Sequence, residues 1–197
     1  MKSILKLVLS LGLVCAIGSF ALSMVYDTTK EPIKTANANA LMASLKLVLP
    51  TETATTEPIN DTIFYKALDN SGTQIAYAAA ATGKGGFGGD VKVLVGLDMN
   101  GKILAVMVTE NSETPGIGSK ATDRKVQKSL WDVLKGKRTD VAFPPNKYLD
   151  SYAGRDVAGG FAFGRDGLNA VSGATYSSTA ILNGLNAVSQ AFKELKK

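Results

Sequence analysis

The sequence predicts an α+β protein in which a single N-terminal transmembrane helix precedes one domain with a mainly antiparallel sheet and flanking helices. Three observations predict this class. Residues 7–26 carry no charged side chain, which is typical of a membrane-spanning helix. Residues 91–97 place apolar side chains at alternate positions, and Asn100-Gly101 then forms a strong hairpin-turn signal. Residues 181–195 repeat apolar side chains at helical spacing.

The apolar run at residues 7–26 predicts a membrane anchor, because at ~1.5 Å per residue a helix of this length spans about 30 Å. Two alternatives stay open. One is a cleaved signal peptide with a weak cleavage site at residues 21–23. The other is a lipid anchor at Cys15, although the preceding Gly12-Leu13-Val14 does not begin with the leucine that is usual for such anchors. Basic residues occur on both sides of the run, so the positive-inside bias is slight. We expect the N-terminal tail in the cytoplasm and the domain outside it, on a single-pass protein of the inner membrane.

Residues 33–48 continue with apolar side chains at helical spacing, and Pro50 ends that predicted helix. Residues 51–58 are polar and rich in threonine, which predicts a linker. The chain therefore divides into three segments: a tail and anchor at 1–26, a membrane-proximal helix and linker at 27–58, and a folded domain at 59–197.

The folded domain begins with strands. Four are predicted, in two hairpins: residues 64–67 with 75–80, and residues 91–97 with 103–108. The strand at 103–108 is apolar on both sides, so we expect both faces of the sheet to be covered.

Helices and loops make up the rest of the domain. A short helix is predicted from Asp123, with Val126, Leu130, Val133 and Leu134 on one face. Residues 136–169 are rich in Gly, Pro and Asp, which predicts loops with short strands. A final helix directs five apolar side chains inward: Ile181, Leu185, Val188, Phe192 and Leu195.

Composition excludes several classes of function. The chain has no histidine and one cysteine, which rules out imidazole metal ligands, Ser-His-Asp or Cys-His triads, an intrachain disulfide and an iron–sulfur cluster held by this chain alone. The net charge of +5 is not gathered into a basic block, so nucleic-acid binding is not expected. Redox chemistry would need an organic cofactor or another chain.

A glycine-rich segment at residues 83–89 formally satisfies GxGxxG, through Gly83, Gly85 and Gly88. A dinucleotide fingerprint must follow a strand and open a helix, whereas here a strand follows. We therefore interpret these glycines as positions of positive φ or of close backbone approach.

Two further loops carry polar groups at the ends of predicted elements. ETPGIG at residues 113–118 follows a strand, and it is either a ligand-binding loop or a plain connector between two elements. SGATYSS at residues 172–178 lies at the start of the final helix. It either caps that helix or forms an anion-binding site at its N-terminus. Small residues at Gly173 and Ala174 would let another enzyme reach the Thr175 hydroxyl.

With these motifs in this order behind an anchor, the sequence resembles the flavin-binding subunits of the Rnf and Na⁺-translocating NADH:quinone oxidoreductase complexes. The total length and the SGATY variant are closer to the Rnf member of this family, RnfG, than to the longer NqrC. The resemblance implies FMN joined to Thr175 by a phosphoester and attached by a flavin transferase that uses FAD. It implies that Ser172, Gly173 and Ala174 frame the phosphate, and that Glu113 and Thr114 lie near the isoalloxazine ring.

One position departs from this family. The transferase motif usually begins with aspartate six positions before the threonine, and here that position is Asn169. Asparagine keeps the size and an acceptor oxygen but loses the charge, so flavin attachment could be less efficient.

The function implied is that of an electron-carrying subunit of an ion-translocating ferredoxin:NAD⁺ oxidoreductase, without substrate turnover by the isolated chain. The implied partners are the other membrane subunits and the transferase, and residues 59–197 would be the FMN-binding domain. Alternatives are an NqrC-like or stand-alone extracytoplasmic flavin carrier, or a non-redox membrane-tethered module in which SGAT only caps a helix.

Overall fold

A computed structural model describes residues 2–49, 53–59, 61–69, 71–124 and 143–197. The chain separates into two compact units, Met1–Leu41 and Met42–Lys197. The helix predicted from Asp123, with its apolar face at Val126 to Leu134, lies almost wholly outside the described residues.

One long helix, α1 (Lys2–Val48), opens the chain. The predicted anchor and the predicted membrane-proximal helix are therefore continuous. Inside the uncharged run, the Ser10 hydroxyl donates a hydrogen bond to the Leu7 carbonyl one turn earlier (3.0 Å). This bond satisfies a polar group that would otherwise oppose transfer into lipid. By length and composition, α1 could cross a membrane.

The second unit is built on an antiparallel sheet. In the described part of the chain five strands pair in sequence order: β1 (Thr53–Ile59), β2 (Thr62–Leu68), β3 (Gln74–Gly83), β4 (Val91–Asp98) and β5 (Ile103–Glu110). The turn between β4 and β5 has Gly101 at φ +88°, and the Asp98 carboxylate accepts hydrogen bonds from the backbone of Asn100 and Lys102. Both predicted hairpins and the α+β class are confirmed.

β1 occupies residues where the sequence predicts a linker. It pairs with β2 along its whole length, from Thr53 opposite Leu68 to Ile59 opposite Thr62. Threonine is β-branched and suits a pleated strand. A polar, threonine-rich edge strand therefore looks like a linker when composition is the only guide.

One face of the sheet packs against the final helix, α4 (Thr175–Leu195). The two approach closely at Gly83 on β3, where a Cβ would collide with the Ala180 carbonyl of the helix. The helix presents the predicted apolar face: Ile181, Leu185, Val188 and Phe192 are buried, and Leu195 packs at the edge of the core.

The opposite face is met by the last turns of α1. Leu45, Val48 and Leu49 are buried. The Val48 carbonyl lies directly on Gly96 of β4, where a Cβ would collide with it. α4 thus covers one face of the sheet and the end of α1 covers the other. This confirms the expectation, drawn from the apolar strand at residues 103–108, that both faces are covered.

Residues 136–169 are predicted to form loops with short strands, and the described part of this segment, residues 143–169, contains helical turns. Two short helices, α2 (Ser119–Thr122) and α3 (Lys147–Asp150), are joined through Asn146. Its side-chain oxygen caps α3 at the Tyr148 and Leu149 N–H groups, and its amide donates to three carbonyls of residues 120–123. The β-structure here is one bridge, between Lys102 and Asp156.

Candidate functional site

The three motif loops meet at the N-terminus of α4. A Cβ at Gly88 would collide with the Ser112 carbonyl, so the glycine-rich loop lies against the ETPGIG loop. A Cβ at Gly118 would meet both the Glu113 side chain and, at 2.8 Å, the Ser177 hydroxyl in the first turn of α4. The structure thus joins segments that are far apart in the sequence.

The glycines serve close approach, as predicted. Gly86 lies against the Glu113 carboxyl group, and no larger side chain fits there without displacing it. The segment that contains Gly86 runs from the end of β3 to Val91, the first residue of β4. A strand on each side is not the strand-to-helix geometry of a dinucleotide fingerprint.

The SGAT loop leaves the start of α4 open. The N-cap residue, Ala174, makes no side-chain capping bond, and the first helical bond is donated by the Ser178 N–H to the Ala174 carbonyl (2.9 Å). The N–H groups of the first turn therefore have no partner within the helix, and the helix dipole adds positive potential there. Gly173 has φ +78°. Thr175 is exposed at the first helical position, while Ser172 and Gly173 are exposed beside it.

A buried hydrogen-bond chain holds this loop, and the sequence analysis missed it. The Ser178 hydroxyl accepts from the Val171 N–H at 3.0 Å, and the Ser178 carbonyl accepts from the Tyr148 hydroxyl at 2.8 Å. Tyr148 also shares a hydrogen bond with the Tyr152 hydroxyl at 2.8 Å. Burial raises the pKa of both phenols, so they stay protonated and able to donate. No local signal connects Tyr148 to a helix that begins much later in the chain.

The Glu113 carboxyl group is buried and has no hydrogen-bond partner among the described residues. The side chain is 8 % exposed. Burying a carboxyl group in this way is unfavourable unless something supplies a donor. The neighbouring Thr114 is exposed, and its carbonyl turns the loop by accepting from the Ile117 (3.2 Å) and Ser119 (3.4 Å) N–H groups.

These residues fit the group that the sequence resemblance implies. FMN carries a phosphate, which suits the open N-terminus of α4. The fit is therefore on the phosphate side, at Thr175 and its neighbours, whereas the Glu113 carboxyl oxygens are covered where they lie against Gly86 and Gly118.

A cavity of about 880 Å³ among the described residues lies beside these loops, and Thr175 is not part of its lining. Its lining includes Gly116, Lys120, Lys147 and Asn169. Asn169 is exposed, and its side-chain amide donates only a long bond, 3.4 Å, to the Gly167 carbonyl. The position that departs from the family motif is therefore accessible from solvent.

Comparison with known proteins gives concordant results. The FMN-binding domain family matches residues 86–190, which contain all three loops except the start of the glycine-rich segment. The chain is 28% identical over 190 residues to the G subunit of an ion-translocating oxidoreductase complex from Cereibacter sphaeroides, covering 88% of this chain and 77% of that protein.

A second relative spans the whole chain. It is the G subunit of the Na(+)-translocating ferredoxin:NAD(+) oxidoreductase complex of Acetobacterium woodii, 24% identical over 214 residues, covering 100% of this chain and 95% of that protein. A shorter match, 47% identical over 53 residues, covers 27% of this chain and 26% of the G subunit of the Haemophilus influenzae ion-translocating oxidoreductase complex. Because the family match takes in just over half of the 197 residues, the chain belongs to the FMN-binding domain family.

Proposed function

We propose that this chain carries FMN on the Thr175 hydroxyl and acts as an electron-carrying subunit of a membrane-bound, Rnf-type ion-translocating ferredoxin:NAD⁺ oxidoreductase. The observation that carries the proposal is the exposed Thr175 at the first position of a helix whose N-terminus has no side-chain cap. Family membership and the names of the relatives support it.

The attachment requires a transferase that uses FAD. A bond forms between the Thr175 oxygen and the FMN phosphorus, the pyrophosphate bond of FAD breaks, AMP leaves and the hydroxyl proton is released. Exposure of Thr175, Ser172 and Gly173 supports access by that enzyme. The phosphate would then face the open N–H groups of α4, with Ser172, Gly173 and Ala174 as its frame.

On the ring side, Glu113 and Thr114 are the residues that would lie near the isoalloxazine. The exposure of Thr114 supports this role. The Glu113 carboxyl oxygens are covered by the loops, so Glu113 would act on the ring through its charge. FMN when bound supplies one- and two-electron chemistry, and the protein tunes its potential through charge and burial.

α1 is long and apolar enough to cross a membrane, which supports a membrane location. In this proposal residues 1–26 anchor the chain with the tail in the cytoplasm, and the second unit, Met42–Lys197, holds the flavin outside the cytoplasm. A merely bound cofactor would be lost by dilution there, so a covalent bond retains it. The partners are the other membrane subunits, and the isolated chain turns over no substrate of its own.

The test is the intact mass and the in-gel flavin fluorescence of denatured protein made beside an active transferase. We expect an adduct of FMN less one water in the unsubstituted protein and none in Thr175→Ala. Thr179→Ala is the matched control, because it removes a hydroxyl one turn later on the same helix and should keep the adduct. An adduct that persists in Thr175→Ala contradicts the site.

Failure of the unsubstituted chain to accept flavin, with the transferase active on another target, contradicts the function unless Asn169→Asp restores the adduct. Membrane subunits that co-purify with α1 distinguish an Rnf-type complex from a quinone reductase or a stand-alone carrier.

A further inference from the structure

Two large aromatic side chains stand exposed beside Thr175. Phe87 is 73 % exposed and Tyr176 is 67 % exposed, and their ring centroids lie 6.4 Å apart with the planes at 48°. The other aromatic side chains with described burial in the second unit are buried or half-buried: Phe64, Tyr65, Tyr77, Phe143, Tyr148, Tyr152, Phe161, Phe163 and Phe192. Among the aromatic side chains of this unit whose burial is described, the pair is therefore the exception.

Each ring is attached to a well-packed part of the fold. Phe87 lies between Gly86 and Gly88, which pack against the Glu113 carboxyl group and the Ser112 carbonyl. Tyr176 lies in the first turn of α4, next to Thr175. The two rings are consequently held near each other by backbone packing, although neither is covered by the described residues.

An exposed aromatic pair is unfavourable in water unless a ligand covers it. The closest candidate is a ring tethered to the adjacent residue, because a short covalent tether gives a high effective concentration at the pair. A planar fused ring system suits aromatic side chains, which prefer offset or tilted contacts.

We propose that Phe87 and Tyr176 form the seat of the isoalloxazine ring of an FMN attached to Thr175. This inference rests on the proposed function and adds to it the two aromatic contacts. The phosphate and ribityl chain run from Thr175, and the ring covers the exposed faces of the pair on the side where the glycine-rich loop meets α4.

The experiment uses flavinylated full-length protein with Phe87→Ala, Tyr176→Ala, Tyr176→Phe and a control, Leu104→Ala, which truncates an exposed side chain on β5. Flavin content after denaturation is measured first, because it tests the proposed function alone. Fluorescence lifetime and iodide quenching of the native flavin then test the seat. A phenol in contact with an excited flavin quenches it by reversible electron transfer, whereas a phenyl ring does not.

Tyr176→Phe should lengthen the flavin lifetime severalfold and leave the bimolecular rate constant of iodide quenching unchanged, because the contact remains and only the electron donor is lost. Phe87→Ala and Tyr176→Ala should each raise iodide quenching by about twofold, since part of the ring surface is uncovered. Leu104→Ala should change neither signal.

Normal flavin content with unchanged lifetime and unchanged iodide quenching in all three aromatic variants overturns the seat and leaves the proposed function intact. That is also the result expected if the pair instead contacts a partner protein. Absence of the adduct from the unsubstituted protein overturns both. Should Tyr176→Ala prevent attachment because it neighbours Thr175, Phe87→Ala decides the matter, because that side chain lies on a different loop.

Discussion

The Thr175 side chain is exposed and makes no hydrogen bond to another residue that the structure describes. It occupies the first helical position, and the N-cap residue before it makes no side-chain capping bond. We therefore expect Thr175→Ala to change the free energy of unfolding by less than about 0.5 kcal/mol, as for surface substitutions in general. Urea unfolding of the two proteins without flavin checks this. A loss of about 2 kcal/mol would show that the threonine stabilises the helix start.

Glu113 offers a second test at the level of one side chain. Glu113→Gln keeps the size but removes a carboxyl group from the proposed ring site, and less negative charge there favours the reduced flavin. We expect the midpoint potential of the flavinylated protein to rise by about 30 mV, which is ~1.4 kcal/mol for two electrons. Redox titration measures it. Glu110→Gln is the control, because this exposed carboxylate pairs with Lys92 on the surface, and its substitution should leave the potential unchanged.

At the level of the helix, Ser178 links the start of α4 to the SGAT loop. Ser178→Ala leaves the Val171 N–H without its acceptor, and an unsatisfied buried donor costs about 1–3 kcal/mol. We expect urea unfolding to show this loss of stability. We also expect a lower yield of flavin adduct, because the SGAT loop is held less firmly. Ser189→Ala, also buried on α4, should keep a normal yield. Equal yields in the two variants would contradict the role of Ser178.

The tyrosine pair behind the loop predicts an alkaline limit to stability. Tyrosines of the unfolded chain ionise near their ordinary pKa of 10.0, whereas burial raises the pKa of Tyr148 and Tyr152 in the folded protein. The folded state then holds more protons above pH 10, so its stability falls as pH rises beyond that value. Denaturant midpoints measured across this pH range should show the loss of stability, and tyrosinate absorbance should report the ionisation of the phenols. Tyr152→Phe should make the decline shallower, and an unchanged slope would contradict this assignment.

At the level of the whole molecule, the second unit begins at Met42, and the last turns of α1 belong to its core. A fragment of residues 42–197 should therefore fold. A fragment of residues 51–197 loses Leu45, Val48 and Leu49, which are buried in the intact unit, and each such side chain contributes about 1.5–3 kcal/mol by burial. We expect lower denaturant midpoints and aggregation in size-exclusion chromatography for the shorter fragment. Equal stability would show that this cover is dispensable.

Several elements could be predicted because their signals are local. The run without charges at residues 7–26 and the hairpin at Asn100-Gly101 depend on neighbours along the chain. The apolar face of α4 is equally local, since helical periodicity determines it. β1 escaped prediction because a threonine-rich strand gains its pairing from β2, and composition alone favours a linker there.

By itself, the sequence determined the α+β class, the apolar N-terminal helix and the motifs that indicate a flavin protein, since each is carried by residue type and spacing. Only the tertiary structure decided that the three motif loops meet, that the Glu113 carboxyl group is buried without a partner in the described part of the chain, and that Phe87 lies beside Tyr176. It also decided that Tyr148 supports a helix residue 30 positions away. The physical reason is that contacts between distant segments depend on how helix and sheet pack together, and periodicity within one segment carries no information about that packing.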